Sequence, residues 1–382
     1  MPNKRIYFAC QKVGIAPDNS NTFTAVHGVQ SVGMTTNFNL VNVLELGQLS
    51  IYENIENLPD VQVSLTKVLD GHPPVYLLGT RGASTPTLAG RSADKCLFGL
   101  AVYNDTAVTA SGTPVSECVC SGMFIGSVNY NFPVDDNFTE ETTLVGNDKV
   151  WKKDPKYASG PTTFLFTGGF SGVDAPIGSG GVNRRQDLLF ATTSSTTGTP
   201  LDNNSMVADY DGTILPPEVF GISNSGTNVL TSGVYGAHIQ SIRVSCDFGR
   251  DAINELGRKG PYHRTVRFPL DVTTEVEVVS ISGDMISATE DGIYTVGSGA
   301  CNDGGNLRDR TIRIATCEGL RIYTGLKNKL SAVNYTGGDA GGANVTVTYT
   351  FTTQNDFTVM HANDPNTNFT WGTGAKTSYL LN

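Results

Sequence analysis

The sequence lacks an apolar run long enough to span a bilayer, which takes about 20 residues. The segment Met1–Phe8 has basic residues but no apolar stretch with a small-residue cleavage site after it, so we predict no secretion signal and expect synthesis and folding in the cytoplasm. Basic residues are also few: the 382-residue chain has 26 Lys and Arg against 36 Asp and Glu, so its formal net charge is −10. A surface that binds nucleic acid by neutralising phosphates is therefore not expected, whereas one past which nucleic acid slides remains compatible.

Cysteine is sparse, and its seven residues form no CxxC pair. They are Cys10, Cys96, Cys118, Cys120, Cys246, Cys301 and Cys317. An odd number of cysteines scattered over a long chain favours buried free thiols over a disulfide framework. Cys118 and Cys120 point the same way on a strand, so we interpret them as small core residues, with a redox pair as the alternative.

Histidine is equally sparse, and no histidine has a second His or Cys at metal-ligand spacing. The five are His27, His72, His238, His263 and His361. We therefore predict no metal site. The stretch Asp209–Gly212 begins like a calcium loop but lacks the bidentate Glu, which favours a turn.

Motifs for nucleophilic catalysis and cofactor binding are also missing. Gly169–Gly172 resembles a nucleophile elbow but is followed by Val173, and no phosphate-binding loop occurs. Gly297–Gly299 starts like a dinucleotide fingerprint, yet Asn302 stands where its last glycine should be. We predict no catalytic residue, no cofactor-binding residue and no cofactor, so the protein is not expected to be an enzyme.

Three charged pairs are the remaining candidates for a site. Asp135–Asp136 and Glu140–Glu141 could act as general acid and base, but nothing in their Asn-rich surroundings would raise a pKa, which favours surface charge. Arg184–Arg185 is either a solvated loop or one side of an intersubunit salt bridge, and an exposed pair would contribute little.

What the chain has in abundance is glycine, 43 residues, with short alternating apolar segments between Gly, Asn, Asp and Pro clusters. This pattern indicates many short strands joined by turns, so the fold class is mainly β. A chain of this length accommodates two domains, each with its own core.

An internal repeat divides the chain into two related halves. Residues 30–59 laid on 240–269 give eight identities in thirty, where about two are expected by chance. The identical positions in the first copy are Gln30, Ser31, Phe38, Glu45, Leu46, Gly47, Tyr52 and Pro59. A second block matches 99–103 to 319–323, and a third matches 128–139 to 347–358. Three blocks in the same order favour a true repeat, with the alternation shared by all half-buried strands as the alternative.

The repeat predicts a first domain at 1–153, a connector at 154–212 and a second domain at 213–382. The connector is rich in Gly, Ser and Thr and cannot bury a core of its own, although Asp187–Phe190 could form one strand. Each domain is expected to be a β-barrel or β-sandwich with a short helix. That helix falls at Asp247–Gly257 in the second copy, and Asn37–Gly47 is equally compatible with helix and strand.

The most distinctive block of the repeat resembles the tail tube proteins of long-tailed bacteriophages, of the type with a duplicated tube domain. The matching segments are Leu44–Tyr52, Leu58–Val63 and Lys67–Gly71, their second copies Glu255–Tyr262 and Arg267–Val272, and the strand ends Phe138–Glu141 and Asp356–Val359. The resemblance covers most of both repeats, and its motifs are loose.

This resemblance implies a structural virion protein whose strands form a continuous barrel around a channel. Three duplicated chains would imitate a ring of six, and stacked rings would form the tube through which the genome is delivered. Implied partners are further copies of the chain, the tape measure, tail terminator and baseplate or tail-tip proteins, and the sheath where a tail contracts. DNA would pass without specific binding, no membrane partner is implied, and the location would be the virion tail after assembly in the host cytoplasm.

Two other function classes are compatible with the same composition. A capsid, baseplate or adhesin protein would share the β-rich pattern but would never stack into tubes. A β-rich enzyme would need a cleft with paired acids, to which nothing in the sequence points.

Overall fold

The computed structural model describes residues 5–20, 22–106, 109–153, 166, 170, 181–189, 237–257, 260–280, 309, 312–316, 318–337 and 344–364. Within them the chain is mainly β, which confirms the predicted fold class. The helices there are short: α1 at Val75–Gly79, α2 at Leu88–Ser92, and 3-10 helices at Phe8–Cys10 and Arg185–Asp187. Among these residues no helix has the length and apolarity needed to cross a membrane.

Twenty strands are described in chain order. They are β1 Gln11–Pro17, β2 Thr24–Ala25, β3 Val29–Asn37, β4 Leu40–Leu44, β5 Ile51–Glu56, β6 Asp60–Val68, β7 Cys96–Val102, β8 Ser116–Pro133, β9 Thr139–Gly146, β10 Asp148–Lys153, β11 Leu188–Leu189, β12 Ala237–Asp247, β13 Arg250–Ile253, β14 His263–Val266, β15 Asp271–Ser280, β16 Arg313–Thr316, β17 Leu320–Tyr323, β18 Lys329–Thr336, β19 Thr346–Gln354 and β20 Thr358–His361. All their pairings are antiparallel.

Eight of these strands form one continuous surface, which we call the long sheet. Its order is β3-β6-β9-β8-β12-β15-β19-β18. Strand β8 has 18 residues, and its first half leaves the long sheet to pair with β7 and β10. A further sheet runs β11-β16-β17-β20, and the hairpins β4–β5 and β13–β14 stand outside both.

Strict alternation places the core on one side of the long sheet. In β6, Val61, Val63 and Leu65 are buried between exposed polar neighbours, and β19 alternates in the same way. Period-2 patterning of this kind is what a sheet with one solvated face requires. The aromatic members of this core include Tyr130, Phe132, Phe138, Tyr349, Phe351 and Phe357.

The long sheet consists of two four-stranded units with the same strand order. In the first, β3-β6-β9-β8, the register shifts at Gln30 in β3 and at Gly126 in β8. In the second, β12-β15-β19-β18, it shifts at Gln240 in β12 and at Ser331 in β18. The two glutamines that are identical in the sequence repeat therefore lie at equivalent β-bulges.

The third block of sequence matches is wrong in detail. It aligned 128–132 of β8 with 347–351 of β19, but in the sheet order β18 takes the place of β8 and β19 takes that of β9. Half-buried strands share the same alternation of apolar and polar residues, so β8 matched β19, which corresponds to its neighbour β9. The division of the chain at 153 and 212 stays a prediction, and the second boundary lies outside the described residues.

The predicted short helix at Asp247–Gly257 is also wrong, because this segment contains strand β13. The Asp247 carboxylate accepts a hydrogen bond from the backbone N–H of Gly249 at 3.0 Å, and Gly249 has φ +46°. That left-handed residue ends the strand in a tight turn where a helix would need right-handed backbone. The matching segment Asn37–Gly47 is likewise a strand, β4.

Two parts of the predicted connector belong to the folded structure. Phe166 and Phe170 are buried against Phe23, with Phe23 and Phe166 ring centroids 4.8 Å apart, so the segment contributes to a core. Strand β11 pairs with β16, which confirms the strand expected near Asp187–Phe190. Five cysteines, Cys10, Cys96, Cys118, Cys120 and Cys246, are buried free thiols as predicted, and Cys301 and Cys317 lie outside the described residues.

A buried ion pair ties α2 to the segment that follows β20. The Arg91 guanidinium donates to Asp364 Oδ2 at 2.8 Å, and neither side chain is exposed. Replacing Arg91 by Ala leaves a carboxylate buried without this partner, which typically destabilises a fold by about 3–5 kcal/mol. We expect R91A to lower the midpoint of chemical unfolding accordingly.

The control is Lys95→Ala, which removes a solvated ion pair between Lys95 and Asp18 at 2.9 Å. Pairs of this exposure contribute about 0–1 kcal/mol. Equal unfolding midpoints for R91A and K95A would contradict a stabilising role for the buried pair.

Candidate assembly surfaces

The solvent side of the long sheet is a polar face that runs across all eight strands. Its most frequent residues are Ser, Thr, Asn and Gln; on β6 they are Gln62, Ser64 and Thr66, and on β19 Thr348, Thr350 and Thr352. A wide sheet with one solvated face can serve as the wall of a channel or as a binding surface.

The charges on this polar face are mostly negative. Its acidic residues are Asp60, Glu141, Asp247, Asp271, Glu275 and Glu277, and its basic residues are Arg243 and Lys329. Glu275 lies opposite Arg243 across β12 and β15, and Glu277 accepts a hydrogen bond from Ser241 at 3.1 Å. The net negative character disfavours adhesion of a polyanion.

The long sheet ends in two edge strands. Among the described residues, β3 pairs only with β6, and β18 pairs only with β19. An edge strand presents unpaired backbone donors and acceptors and is a template for pairing with another chain. These edges are therefore candidate contact surfaces.

At the centre of the sheet the two four-stranded units pair with each other. Strand β8, the last of the first unit, pairs with β12, the first of the second, from Ser241↔Pro133 to Asp247↔Ser127. The free edges β18 and β3 occupy the corresponding last and first positions.

Two hairpins, which we call the tip hairpins, expose apolar side chains. The first is β4–β5, whose turn carries Leu46 and Leu49 at 103% and 106% exposure, and the second is β13–β14, with Leu256 at 105%. Contiguous exposed apolar groups mark interaction sites. Further exposed members are Leu40, Val41, Leu44, Ile51, Tyr52, Ile55, Ile253 and Tyr262.

The turns of the two tip hairpins have matching backbones. Gly47 and Gly257 have φ +96° and +86°, a region that glycine adopts without steric penalty. At the hairpin entrances, Asn39 and Gly249 have φ +48° and +46°. The identical Glu-Leu-Gly residues of the repeat thus lie at equivalent places in the two hairpins, with a fully exposed leucine in each.

Both tip hairpins leave the long sheet at the same end. Neighbouring strands are antiparallel throughout, so β3 and β12, which are four strands apart, run in the same direction. The first hairpin follows the end of β3 and the second follows the end of β12.

Two arginines anchor the second tip hairpin to the first unit. Arg250 Nε donates to the carbonyl of Ile125 at 2.8 Å, and burial lowers the pKa of Arg250 to about 10. Arg264 donates to Asp60 Oδ1 at 2.7 Å and to Asn147 Oδ1 at 3.0 Å. Charge-assisted bonds of this kind are stronger than neutral ones, and they hold the base of the hairpin in place.

Asp60 is the charged partner of that anchor. Partial burial raises the pKa of Asp60, but hydrogen bonds from Asn39 and Arg264 and the Arg264 charge outweigh this effect and leave the pKa below its ordinary value of 3.8. The carboxylate is therefore ionised, and the anchor intact, throughout the neutral range.

The charged pairs considered in the sequence have different fates. Asp135 and Asp136 are exposed, as predicted. The prediction that Glu140 lies at the surface with Glu141 is wrong. Glu140 is fully buried and accepts hydrogen bonds from the backbone N–H groups of Val75 at 2.6 Å and Tyr76 at 3.0 Å. Burial raises the pKa of Glu140, and these donors offset part of the increase.

The location of Glu140 was predicted wrongly because the polar sequence of β9 does not show which of its alternating residues face the core. Only its placement opposite Lys67 in β6 puts it on the core side of the sheet. There it caps the start of α1 and accepts from Tyr130 Oη at 3.0 Å, a structural role.

Among the remaining sequence candidates, those that the structure describes form no catalytic arrangement. Cys118 and Cys120 are both buried, and the hydrogen bond between them together with burial raises the pKa of the Cys120 thiol. Arg184 and Arg185 are exposed, and Arg184 Nε donates to Asn137 Oδ1 at 3.1 Å. Asp209–Gly212, Gly297–Gly299 and most of Gly169–Gly172 lie outside the described residues.

The histidines are distributed differently from the expectation of isolated residues. His27 and His72 lie together beside Asp70, and His361 is buried. His263 packs edge-on against Phe124 with ring centroids 5.3 Å apart, and the side chain of His238 is not described. The separation of 43 residues between His27 and Asp70 hid the first cluster from any local motif.

No family model and no curated protein matches the chain. Solved structures that align with it include the baseplate of the anti-feeding prophage, with 11% identity, a TM-score of 0.31, and coverage of 40% of this chain and 97% of that chain. The sheath–tube complex of an extracellular contractile injection system aligns with 11% identity, a TM-score of 0.30, and coverage of 40% of this chain and 94% of that chain. The tube-terminating cap of the anti-feeding prophage aligns with 12% identity, the same TM-score and the same coverages. Likeness at this level carries no argument about function.

The anchor makes the second tip hairpin sensitive to one substitution. We expect Arg264→Ala to speed amide hydrogen exchange in His263–Val266 while the unfolding free energy changes by no more than about 1 kcal/mol, because Asp60 is half exposed. The control is Arg267→Ala, since Arg267 pairs only within the hairpin region, with Asp251.

The same anchor predicts a pH effect of defined sign. The folded-state pKa of Asp60 is lowered, so its contribution is complete above 3.8 and is lost as the pH falls below that value. Exchange in His263–Val266, expressed relative to the intrinsic exchange rate at each pH, should rise in this acid window in the wild type and stay flat in R264A. A parallel rise of this ratio in both proteins would refute the assignment.

Proposed function

We propose that this chain is a structural protein of a phage-like tail that forms tube rings by strand pairing and stacks them through its tip hairpins. The observation that carries the proposal is the β8–β12 junction, where the last strand of one four-stranded unit pairs with the first strand of the next. We also propose that the two units arose by duplication. Their shared strand order and equivalent bulges support that origin.

Ring closure follows from the free edges. Strand β18 is the last strand of the second unit, as β8 is of the first. By analogy with the β8–β12 pairing, β18 of one copy would pair with β3, the first strand of the next copy. A head-to-tail contact of this type generates a ring when its rotation closes, and closure removes every exposed edge. Three copies would then give a pseudo-sixfold ring of six units.

The bulges fix the register of the proposed contact. In the junction Asn129, three residues after the bulge at Gly126, pairs with Ser245, five residues after the bulge at Gln240. The residues at the same distances from the equivalent bulges are Asn334 in β18 and Thr35 in β3. Asn334 of one copy is therefore expected opposite Thr35 of its neighbour.

The polar face would line the channel of the ring. Its Ser, Thr and Asn side chains and its excess of carboxylates suit a lumen through which DNA passes without adhering. The tip hairpins, which leave the sheet at one end, would project towards the next ring and bury their leucines there. No catalytic role is proposed.

The proposed partners follow from a tube that must start, stop and have a set length. They are further copies of the chain, a tape measure, a tail terminator and baseplate or tail-tip proteins, with a sheath where the tail contracts. The proposed location is the virion tail, assembled in the host cytoplasm.

A disulfide tests the ring register directly. We expect the double variant Thr35→Cys/Asn334→Cys to form intersubunit disulfides, with trimers as the largest covalent species on non-reducing gels. Opposite residues of an antiparallel pair lie about 4.5–5.5 Å apart at Cα, within disulfide range. Both side chains are exposed, whereas the five described cysteines are buried and do not compete.

The matched control is Thr35→Cys/Lys329→Cys, which places the second thiol on the same strand and face but five residues out of register. The contact would be ruled out if the control cross-linked as efficiently as the test pair. It would also be ruled out if neither variant cross-linked in assembled particles.

Stacking is tested separately at the tip hairpins. We expect Leu46→Ser/Leu49→Ser/Leu256→Ser to stop at single rings in negative-stain electron microscopy while the wild type forms tubes over a concentration series. The leucines are fully exposed, so the fold should be unaffected. The control Val150→Ser changes an exposed apolar residue on β10 and should still form tubes.

Either part of the proposal can fail alone. Tubes from the leucine variant would remove the tip hairpins from the stacking contact. A wild-type chain that stays dispersed and never stacks would favour a baseplate, capsid or adhesin role.

A further inference from the structure

A cluster of metal-binding side chains lies at the start of edge strand β3. His27 precedes β3 and Asp70 and His72 follow β6, and one ligand atom from each of the three lies within 4.8 Å of the others. We propose that His27, Asp70 and His72 form a zinc site that joins these two segments. Two imidazoles and a carboxylate are a donor set that zinc favours, with a fourth position left for water.

The backbone brings the three residues together and holds them there. Gly28 accepts from the N–H of Val68 at 3.0 Å, and Leu69 donates to Phe138 at 2.7 Å, so both segments are fixed. Gly28 has φ +73°, and a Cβ on it would meet Asp70 Oδ2 at 3.1 Å. Glycine at this position is what lets His27 close over the carboxylate.

Asp70 is oriented by partners on one of its two oxygens. Oδ1 accepts from Lys67 Nζ at 2.7 Å and from the backbone N–H of His72 at 3.0 Å, and the side chain is only 1% exposed. Oδ2 is left facing His27 Nδ1 at 2.6 Å. A carboxylate held in this way by surrounding donors is a typical support for a metal site. Lys67 balances its charge without acting as a ligand.

The two imidazoles can adopt coordination geometry with a small movement. Their ring centroids are 4.0 Å apart with an interplanar angle of 33°. Ligand atoms of a tetrahedral zinc site lie about 3.3 Å apart, given bonds near 2.0–2.1 Å. The His27 side chain is 48% exposed, which leaves room on its solvent side for this movement and gives the ion a path from solvent.

The test is metal binding by the full chain after chelator treatment. We expect one cobalt ion per chain with the visible absorption of tetrahedral cobalt, displaced by zinc, and a zinc affinity measured by calorimetry. His27→Ala should weaken zinc binding roughly tenfold or more, since loss of even a supporting partner weakens metal sites 10–100-fold. His263→Ala, which changes a histidine on a tip hairpin, should bind as the wild type does.

Folding and binding are separated by a second measurement. H27A and His27→Gln also lose the hydrogen bond to Asp70, so each variant is compared with itself with and without zinc. Both variants should lose the increase in unfolding midpoint that zinc produces in the wild type. Absence of saturable cobalt or zinc binding by the wild type, or equal zinc binding by H27A, would overturn the proposal. These outcomes do not depend on whether the chain forms rings.

Discussion

Strand β8 is the element on which the rest of the structure depends, because it pairs with four other strands. Its first half joins β7 and β10, and its second half joins β9 and β12. The strand therefore holds the first unit together and attaches the second unit to it. Without the β8–β12 ladder the long sheet would be two separate four-stranded sheets with twice as many exposed edges.

The same ladder explains why the two tip hairpins point in one direction. A second unit joined antiparallel to the first places β12 in the same orientation as β3. The free edges lie at the two sides of the long sheet and the apolar turns lie at one end, so they are separate surfaces.

The sequence repeat identified equivalent positions but not the structure that they form. Glu-Leu-Gly has a glycine with positive φ in both hairpins, and the identical glutamines lie at equivalent bulges. The sequence-based predictions failed where contacts with distant segments determine the structure. Asp247–Gly257, expected as a helix, instead contains a strand because it pairs with β14, and Glu140 is buried because β9 pairs with β6. Likewise, His27 and Asp70 meet only because the β3–β6 pairing brings distant segments together.

The distribution of charge separates the two sides of the long sheet. Buried charges such as Asp70 and Glu140 are each satisfied by specific donors, so they fix local geometry. Glu141 is exposed and Glu275 is half-buried opposite Arg243, and both lie on a face whose other side chains are mostly short and polar. The excess of carboxylates gives this face a net negative field. That property suits a wall past which a polyanion moves better than it suits a binding site.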